Sequence, residues 1–200
     1  TTGAGNHFGP AGGSWTAPPT TMRRNSVQTS DIEANILRSV REANGISRVQ
    51  LARTLGLAPS TTGVYVERLL AAGFLMETES VVQVTGRPPR QLRMNPDGGE
   101  FIGVDFEARN ILAVAVDFSD RPLRNSHKLI EDGDTVPQII AKIEAAIAEV
   151  LPGTPGKLLA IGVGVPGIVD SARGIAVQYK YIANWQNVPL ASHLTKRFEV

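Results

Sequence analysis

Small polar and apolar side chains share one face of a helix predicted over residues 60–72. The face is formed by Ser60, Thr61, Gly63, Val64 and, one turn further on, Arg68. Its hydroxyls can bond phosphates or base edges, its glycine permits close approach, and its valine can meet a thymine methyl group. The opposite face repeats apolar residues at helical spacing and is expected to pack. Such a helix suits the major groove of DNA, although the face carries few groups that read guanine or adenine directly.

The residues before this helix define where it begins. Ser47, with Gln50 three positions later, forms a capping box that starts a shorter helix over residues 47–55. Gly56 can adopt the positive φ of a tight turn, and Pro59 suits the first position of the next helix. The pattern predicts two helices joined by a short, stiff turn. Pro59 is then among the residues expected at the DNA.

Two segments with strand character follow, and a basic loop separates them. The segments cover residues 74–76 and 91–94, and the loop reads Gly86-Arg87-Pro88-Pro89-Arg90. Its prolines hold Arg87 extended, a shape suited to inserting a guanidinium into a narrow A·T-rich minor groove. A solvated turn is the alternative interpretation. With Arg90 as a further DNA contact, the segments and loop would form the wing of a winged helix-turn-helix.

A third helix precedes the pair and completes the unit. Asp31 can cap it, and Asn44-Gly45 ends it in left-handed geometry. Arg48 and Arg53 are expected to meet phosphates, each contact steepening the salt dependence of binding by roughly one unit of slope. Three helices and two strands predict a DNA-binding module. A helical hairpin for protein contacts is the alternative.

Composition excludes several classes of protein. The 200 residues are 42% apolar and include no cysteine, so disulfides and thiolate metal sites are excluded within this chain. No run of about 18 apolar residues and no secretory signal is recognisable, which favours a protein of the cytoplasm without membrane contact. The histidines, His7, His127 and His193, show no ligand spacing. We therefore expect no metal site.

The formal net charge of +1 hides a difference between the two parts of the chain. Residues 22–95 hold ten arginines and six acidic residues, whereas residues 96–200 hold ten basic and thirteen acidic residues. A basic part followed by a mildly acidic part is what a nucleic-acid module joined to a small-molecule module would show. The small difference supports this division without establishing it.

Three segments are expected along the chain. Residues 1–28 are rich in Gly, Pro, Thr and Ala, show no periodicity and are predicted to be disordered. Residues 29–95 form the predicted DNA-binding domain. Residues 95–99 read as a linker from their composition, so that residues 96–200 form a second domain.

After the linker, the pattern changes to that of an α/β domain. The predicted elements are strands over residues 101–106, 111–116, 123–130 and 158–165, helices over residues 135–151 and 190–197, and a new strand from Phe198. The fourth strand is a nearly unbroken apolar run, which predicts a buried parallel strand. The order βββαβ predicts the first lobe of an actin-like ATPase (ribonuclease H-like) domain, in a multidomain α/β protein.

In order and spacing, the motifs of residues 31–200 resemble the ROK family of repressors, unassigned reading frames and sugar kinases. The carriers are Ile46-Ser47-Arg48, Leu51-Ala52, Leu57 to Thr62, Leu69-Leu70, Ala72-Gly73, Gly86-Arg87-Pro88, Gly103-Val104-Asp105, Gly162 to Asp170, Gly174, Asn184-Trp185 and Val188-Pro189-Leu190. The resemblance implies a transcriptional regulator, usually a repressor of carbohydrate-utilisation genes, whose sugar-kinase-like domain senses a sugar or sugar phosphate. It also implies a homodimer or tetramer that holds two reading heads on double-stranded DNA.

The alternative within the family is an ATP-dependent sugar kinase. Such kinases begin their ATP site with Asp-x-Gly-Gly-Thr, whereas this chain reads Asp105-Phe106-Glu107-Ala108-Arg109. Both glycines and the threonine are absent, and Glu107 adds negative charge where phosphates would lie. We therefore expect no catalytic residue and no enzyme activity.

The resemblance also implies that the chain holds only the N-terminal part of the ROK domain. The family's catalytic aspartate, sugar contacts and cysteine-rich zinc site would lie beyond Val200, so we expect no cofactor in this chain. Pro166 and Gly167 are the candidate ligand-binding residues, with a purely structural turn as an equal alternative. Asp170 is expected to cap a turn.

Overall fold

The computed structural model describes residues 30–79, 90–107, 109–154 and 157–200, and its first part is a winged helix-turn-helix. This part, here called the reading head, comprises α1 (Ser30–Ala43), α2 (Arg48–Leu55), α3 (Pro59–Ala71), β1 (Leu75–Glu79) and β2 (Arg90–Met94). The two strands pair antiparallel, as a wing requires. The predicted order of elements is confirmed, although α1 starts at Ser30 and Asp31 therefore lies in its first turn. The predicted disordered residues 1–28 lie outside the described residues.

Local sequence signals set the ends of these helices. Ser47 and Gln50 form the predicted capping box, in which the Gln50 N–H donates to Ser47 Oγ and the Gln50 side chain accepts from the Ser47 N–H. Gly56 ends α2 in the left-handed region at φ 63°, and Gly73 adopts φ 78° after α3. Each of these residues acts on its own turn, so the boundaries follow directly from the sequence.

The helices and the strand pair of the reading head close around one apolar core. Its fully buried side chains include Ile36, Val40, Leu51, Val66 and Leu92. Ile46, between α1 and α2, exchanges backbone hydrogen bonds with Leu92 of β2 at 3.2 and 2.8 Å. The connection between α1 and α2 is therefore attached directly to the wing.

The second part of the chain begins with a four-stranded sheet covered by one helix. Its elements are β3 (Glu100–Phe106), β4 (Asn110–Asp117), β5 (Pro122–Leu129), α4 (Val136–Glu149) and β6 (Leu158–Gly164). The strands lie in the order β5-β4-β3-β6, and α4 buries its apolar stripe against one face of the sheet. The predicted order βββαβ is confirmed.

The strand β6 is parallel to β3, as predicted, but the prediction that it is buried is wrong. Among the described residues β3 is its sole neighbour, so β6 is an edge strand. Ala160, Gly162 and Gly164 are exposed. The reason for the error is that an apolar run reports the composition of a strand and not how many strands or helices lie beside it.

The sequence does not predict the small antiparallel sheet that follows β6. It consists of β7 (Ile168–Asp170), β8 (Ile175–Gln178) and β9 (Gln186–Val188), and α5 (Leu190–Phe198) comes next. Strands of three or four residues are too short to show a clear alternation of apolar and polar side chains. The strand predicted from Phe198 is wrong, because α5 continues through Phe198 and ends at Glu199 with φ 57°.

The reading head and the second part, here called the lobe, share an aromatic contact. Phe118, in the turn after β4, stacks on Phe74 and Phe101 with ring centroids 5.1 and 5.8 Å apart. Within the predicted linker over residues 95–99, residues 96–98 form a 3-10 turn. The Asn95 side-chain amide donates to the Gly73 carbonyl at 2.7 Å. Glycine and proline fit such a packed turn as readily as a loose linker.

The turn that carries Phe118 is held by the buried carboxylate of Asp117. Only 3% of this side chain is exposed, and its oxygens accept hydrogen bonds from the backbone and side chains of Ser119 and Arg121 at 2.6 to 3.1 Å. Burial raises the pKa of Asp117, but these bonds outweigh it and leave the pKa below its ordinary value. These bonds therefore hold the turn that presents Phe118.

Asp117→Asn should lower the free energy of unfolding at pH 7 by roughly 2 kcal/mol, because charge-assisted bonds are lost. The depressed folded pKa means that the carboxylate stabilises the fold above its unfolded pKa of about 3.9, a contribution lost as pH falls through the folded value. In urea titrations, the gap between wild type and variant should close as pH falls below about 4. Asp132→Asn, at an 86% exposed side chain, should change stability by less than about 0.5 kcal/mol, and equal losses would contradict this assignment.

Candidate nucleic-acid interface

The helix α3 has a packed face and an open face, as the sequence predicts. Thr62, Val66 and Leu69 are buried in the reading head. Four of the five residues proposed to meet the major groove, Ser60, Thr61, Val64 and Arg68, are exposed, and Gly63 is half-buried. Val64 is 54% exposed, and it offers an apolar contact to a base edge.

The start of α3 is open to solvent. Pro59 is exposed at the first position of the helix, and Ala58 before it supplies no side-chain cap. The first N–H groups of α3 therefore point outward with the positive end of the helix dipole, which favours a phosphate oxygen there. A Cβ added to Gly63 would meet no atom within 4 Å. Packing within the protein therefore does not require glycine here, and the space beside Gly63 is open.

The arginine at the far end of the open face is held against an aromatic ring. The Arg68 guanidinium lies 5.4 Å from the centroid of the Tyr65 ring. This cation–π contact restricts the side chain but leaves its N–H groups exposed. Arg53, also expected to meet phosphates, is exposed on α2. Both arginines can bond phosphates without first breaking an ion pair among the described residues.

Arg48 is placed differently from the expectation that it meets phosphates. Its guanidinium donates to Glu77 Oε1 at 2.8 Å and to Glu67 Oε1 at 2.6 Å. Arg90, the other predicted contact in this region, donates to Glu77 Oε2 at 3.1 Å. Intramolecular carboxylates therefore hold Arg48 in the free protein, and its contact with a phosphate stays a prediction. Arg90 remains 62% exposed and keeps donors that face solvent.

The pKa values in this cluster follow from its ion pairs. Burial lowers the pKa of Arg48, but its bonds to Glu67 and Glu77 outweigh this and leave it above the ordinary value. The hydrogen bond from Arg48 is the largest cause of a pKa of Glu77 below its ordinary value, and Arg90 adds to it. Arg48 and Glu77 are therefore both charged near pH 7, so the contact between them is an ion pair.

The wing strands are present, but the loop at their tip lies outside the described residues. The last pair in register is Glu79 opposite Arg90, and residues 80–89 follow Glu79. Arg87, the predicted minor-groove contact, belongs to that loop. The described strands β1 and β2 bring the two ends of this loop together, and the minor-groove contact of Arg87 stays a prediction.

The two candidate ligand residues of the lobe lie in the turn between β6 and β7. Gly167 adopts φ 93°, and a Cβ there would lie 2.2 Å from the Gln178 carbonyl oxygen. The turn therefore requires glycine at this position on structural grounds. Pro166 beside it is half-buried. Asp170 accepts a hydrogen bond from the Arg173 N–H at 3.0 Å, so it caps a turn, as predicted.

A cavity of about 690 Å³ in the lobe was not indicated by any motif. It lies between the β5–α4 connection and the loop before Trp185, and neither Pro166 nor Gly167 lines it. Arg109 and Asp132, which pair at 3.1 Å, are part of its wall. Its lining comes from segments about 50 residues apart in the chain, which is why sequence spacing gives no signal for it.

The described residues contain no cluster of three or more His, Cys, Asp or Glu side chains that could hold a metal ion. His127 contacts Asn110 at 3.0 Å, and His193 contacts Glu144 at 2.7 Å. The stretch compared with an ATP site forms the β3–β4 hairpin, where Asp105 and Glu107 are both exposed. None of the described helices is long and apolar enough to cross a membrane.

Comparisons with known proteins match both parts of the chain. A family model described as winged helix-turn-helix DNA-binding matches residues 29–76, and the ROK family model matches residues 101–200. A crystal structure of a ROK family transcriptional regulator, described as a homolog of the E. coli MLC protein, superposes with a TM-score of 0.64 and 22% identity. The match covers 84% of this chain and 43% of that one, and it shows a shared fold.

Several curated relatives align across the junction between head and lobe. The xylose repressor of Caldicellulosiruptor bescii is 26% identical over 168 residues, which cover 82% of this chain and 42% of the relative. The xylose repressor of Bacillus subtilis is 25% identical, and the match covers 82% of this chain and 43% of that relative. The DNA-binding transcriptional dual regulator NagC of Escherichia coli is 25% identical, and the match covers 84% of this chain and 41% of NagC. The chain therefore spans about two fifths of the length of these relatives.

Proposed function

We propose that this chain, which belongs to the ROK family, is the DNA-binding end of a transcriptional repressor of carbohydrate-utilisation genes that responds to a sugar or sugar phosphate. The observation that carries the proposal is the open face of α3, held on a capped helix-turn-helix whose core continues into a ROK-type lobe. Relatives named xylose repressor and NagC align across this junction, which supports a sugar as the effector.

Two or more copies, as a homodimer or tetramer, would act together on double-stranded DNA in the cytoplasm. Half-sites about 34 Å apart lie on one face of the duplex, so paired reading heads can bind both at once. A sugar bound by the lobes would favour an arrangement in which the heads no longer match that spacing. The Phe118 stack supports this, because the head and the lobe that it joins would then move together.

Selection from a pool of random duplexes about three helical turns long tests the DNA-binding part of the proposal. We expect enriched duplexes to share a recognisable half-site and to bind about a thousand-fold more tightly than random DNA. Mobility-shift titrations should show affinity falling steeply with salt, because phosphate contacts release counterions. The absence of any enriched sequence would show that the proposal is wrong.

The effector class is tested on the same selected duplex. Because the resemblance places the family's sugar contacts beyond Val200, xylose, N-acetylglucosamine, glucose and their phosphates are added in turn to the DNA complex of a longer protein that also supplies those contacts. We expect one of these compounds to release the DNA and its stereoisomers to have no effect, since a hydrogen-bonding site rejects analogues that leave its polar groups unpaired. Equal release by all compounds would indicate a non-specific solvent effect.

ATP-dependent sugar phosphorylation is the alternative activity within the ROK family. The residues available for a phosphate site argue against it, because Glu107 presents an exposed carboxylate where the kinases have glycine and repels a polyphosphate. We propose that the chain does not phosphorylate sugars. Incubation with ATP, Mg²⁺ and the same sugars should therefore release no ADP, measured by a coupled assay.

A further inference from the structure

Four charged side chains join α2, α3 and both wing strands. The Glu77 network consists of Arg48 at the start of α2, Glu67 on α3, Glu77 on β1 and Arg90 on β2. Glu77 lies at its centre, with its two oxygens shared between Arg48 at 2.7 Å and Arg90 at 3.1 Å. The network therefore connects α2, α3 and the wing, which together would position the open face of α3 on DNA.

The partners in the network differ in exposure. Glu77 has only 19% of its side chain exposed, whereas Arg48 and Arg90 are 37% and 62% exposed. The carboxylate is thus sheltered between the strands and α2, and the two arginines extend from it toward the surface. A partly sheltered pair is screened less by salt than a fully exposed one, so Glu77 keeps its hold on both guanidinium groups in solution.

The network is electrically neutral, although it contains two arginines of a basic reading head. Non-specific binding to DNA rises with the number of phosphates that arginine and lysine contact, because each contact releases counterions. A paired guanidinium must give up its carboxylate before it can neutralise a phosphate. Arg53 and Arg68, in contrast, have no acidic partner among the described residues.

The same contacts also hold α3 in place. Glu67 lies three residues beyond Val64 on α3, and its bond to Arg48 at 2.6 Å ties α3 to the start of α2. Through Glu77, Arg48 also ties α2 to the wing. Loss of the central carboxylate would therefore release positive charge and loosen the angle between α3 and the wing at the same time.

We infer that Glu77 is a positioning residue that sets the ratio of specific to non-specific DNA binding, by keeping Arg48 and Arg90 away from phosphates. This inference rests on the proposed DNA-binding function. Recognition then depends on the open face of α3, while affinity for unrelated DNA stays low. Glu77 itself touches no base, and its effect is exerted through the two arginines.

Glu77→Gln removes the central charge and preserves the shape of the side chain. Arg90 then loses its carboxylate partner, whereas Arg48 keeps Glu67 at 2.6 Å. At about 100 mM salt, affinity for a random-sequence duplex should therefore rise roughly eight-fold, and the log–log salt slope should steepen by about one unit. Affinity for the selected duplex should rise less, because the angle of α3 is less well held. Fluorescence anisotropy titrations on both duplexes between about 50 and 200 mM salt measure these changes.

Glu79→Gln is the matched control, because it makes the same change of charge two residues along β1. Glu79 is exposed and forms no ion pair with any described residue. The Glu79→Gln variant should leave both the salt slope and the ratio of the two affinities close to those of the wild type. Glu67→Gln, at a 65% exposed side chain, removes the other carboxylate that holds Arg48, at a site where folding is not at risk. Because Glu77 still holds Arg48 at 2.7 Å, the salt slope should steepen in the same direction but by less than in Glu77→Gln.

Two results would overturn the inference. If Glu79→Gln changes the slope as much as Glu77→Gln does, total charge alone decides the outcome. If Glu77→Gln and Glu67→Gln weaken binding to both duplexes with no change in slope, the network is only a structural clamp. Failure of the wild-type protein to bind either duplex overturns the proposed function itself, and this result is read before any variant is compared.

Discussion

Phe118→Ala should lower the free energy of unfolding by about 3 to 5 kcal/mol, the largest stability effect we expect from one substitution. The Phe118 ring is 6% exposed and stacks on Phe74 from the reading head and on Phe101 from the lobe. Arg41 of α1 adds a hydrogen bond of 3.2 Å to the Phe118 carbonyl and an ion pair of 3.3 Å to Asp120. Truncation leaves a cavity where the two parts meet.

The same substitution should separate the unfolding of the head from that of the lobe. In the wild type, the shared core makes each part stabilise the other, so probes of the two parts should show one coincident transition. A Trp15→Phe background leaves Trp185, in the lobe core, as the sole tryptophan. Its fluorescence follows the lobe, whereas circular dichroism follows mainly the helices of the head. In the Phe118→Ala variant, we expect the two urea midpoints to differ.

Leu129→Ala provides the control for these measurements. Leu129 is 56% exposed on β5, so its truncation should change stability by less than about 0.5 kcal/mol and leave the transitions coincident. A loss below about 1 kcal/mol in Phe118→Ala, with coincident midpoints, would show that the head and the lobe are joined by other contacts. The proposal that a sugar-induced movement of the lobe reaches the head would then lose its structural support.

The helix-turn-helix could be predicted because its signals are local. Ser47 and Gln50 cap α2, Gly56 and Pro59 define the turn, and each acts within a few residues of its own position. The open face of α3 follows from helical spacing in the same way. Boundaries of this kind depend on backbone conformation and hydrogen bonding within one turn, which the sequence specifies directly.

The role of Arg48 could not be predicted, because its partners are distant in the chain. Glu67 and Glu77 lie 19 and 29 residues away, and only the packing of α3 and β1 against α2 brings them within reach. A surface arginine in a basic segment has the same sequence signature whether it meets a phosphate or a carboxylate. The difference is a property of tertiary structure, and so is the effect that we attribute to Glu77.

The elements of the lobe were predicted to different degrees for a similar reason. The helix α4 and the strands β3 to β5 are long enough for periodicity to show. The strands β7 to β9 have three or four residues each and depend on pairing with one another. Gly167 shows the limit most clearly, because only the structure reveals the Gln178 carbonyl that excludes any larger residue there.

Val64→Glu should abolish specific binding without destabilising the protein, and it is the prediction with the largest expected effect on function. Val64 is 54% exposed at the centre of the open face of α3, so a glutamate is accommodated in solution with a stability change below about 0.5 kcal/mol. On DNA, the new carboxylate would replace an apolar contact and face the phosphates and acceptor-rich base edges of the major groove. We expect affinity for the selected duplex to fall about 100-fold or more, that is, by at least about 3 kcal/mol.

Leu129→Glu is the matched control, because it adds the same charge at a similarly exposed apolar position in the lobe. It changes the net charge of the chain equally, so any general repulsion of DNA should affect both variants to the same extent. We expect Leu129→Glu to bind the selected duplex within about three-fold of wild type, because a single remote charge is screened beyond about 10 Å at 0.1 M salt. Equal losses in the two variants would mean that the added charge alone weakens binding, and the assignment of the open face of α3 to the major groove would then be wrong, since a carboxylate buried at the centre of such a face should cost far more than a remote one.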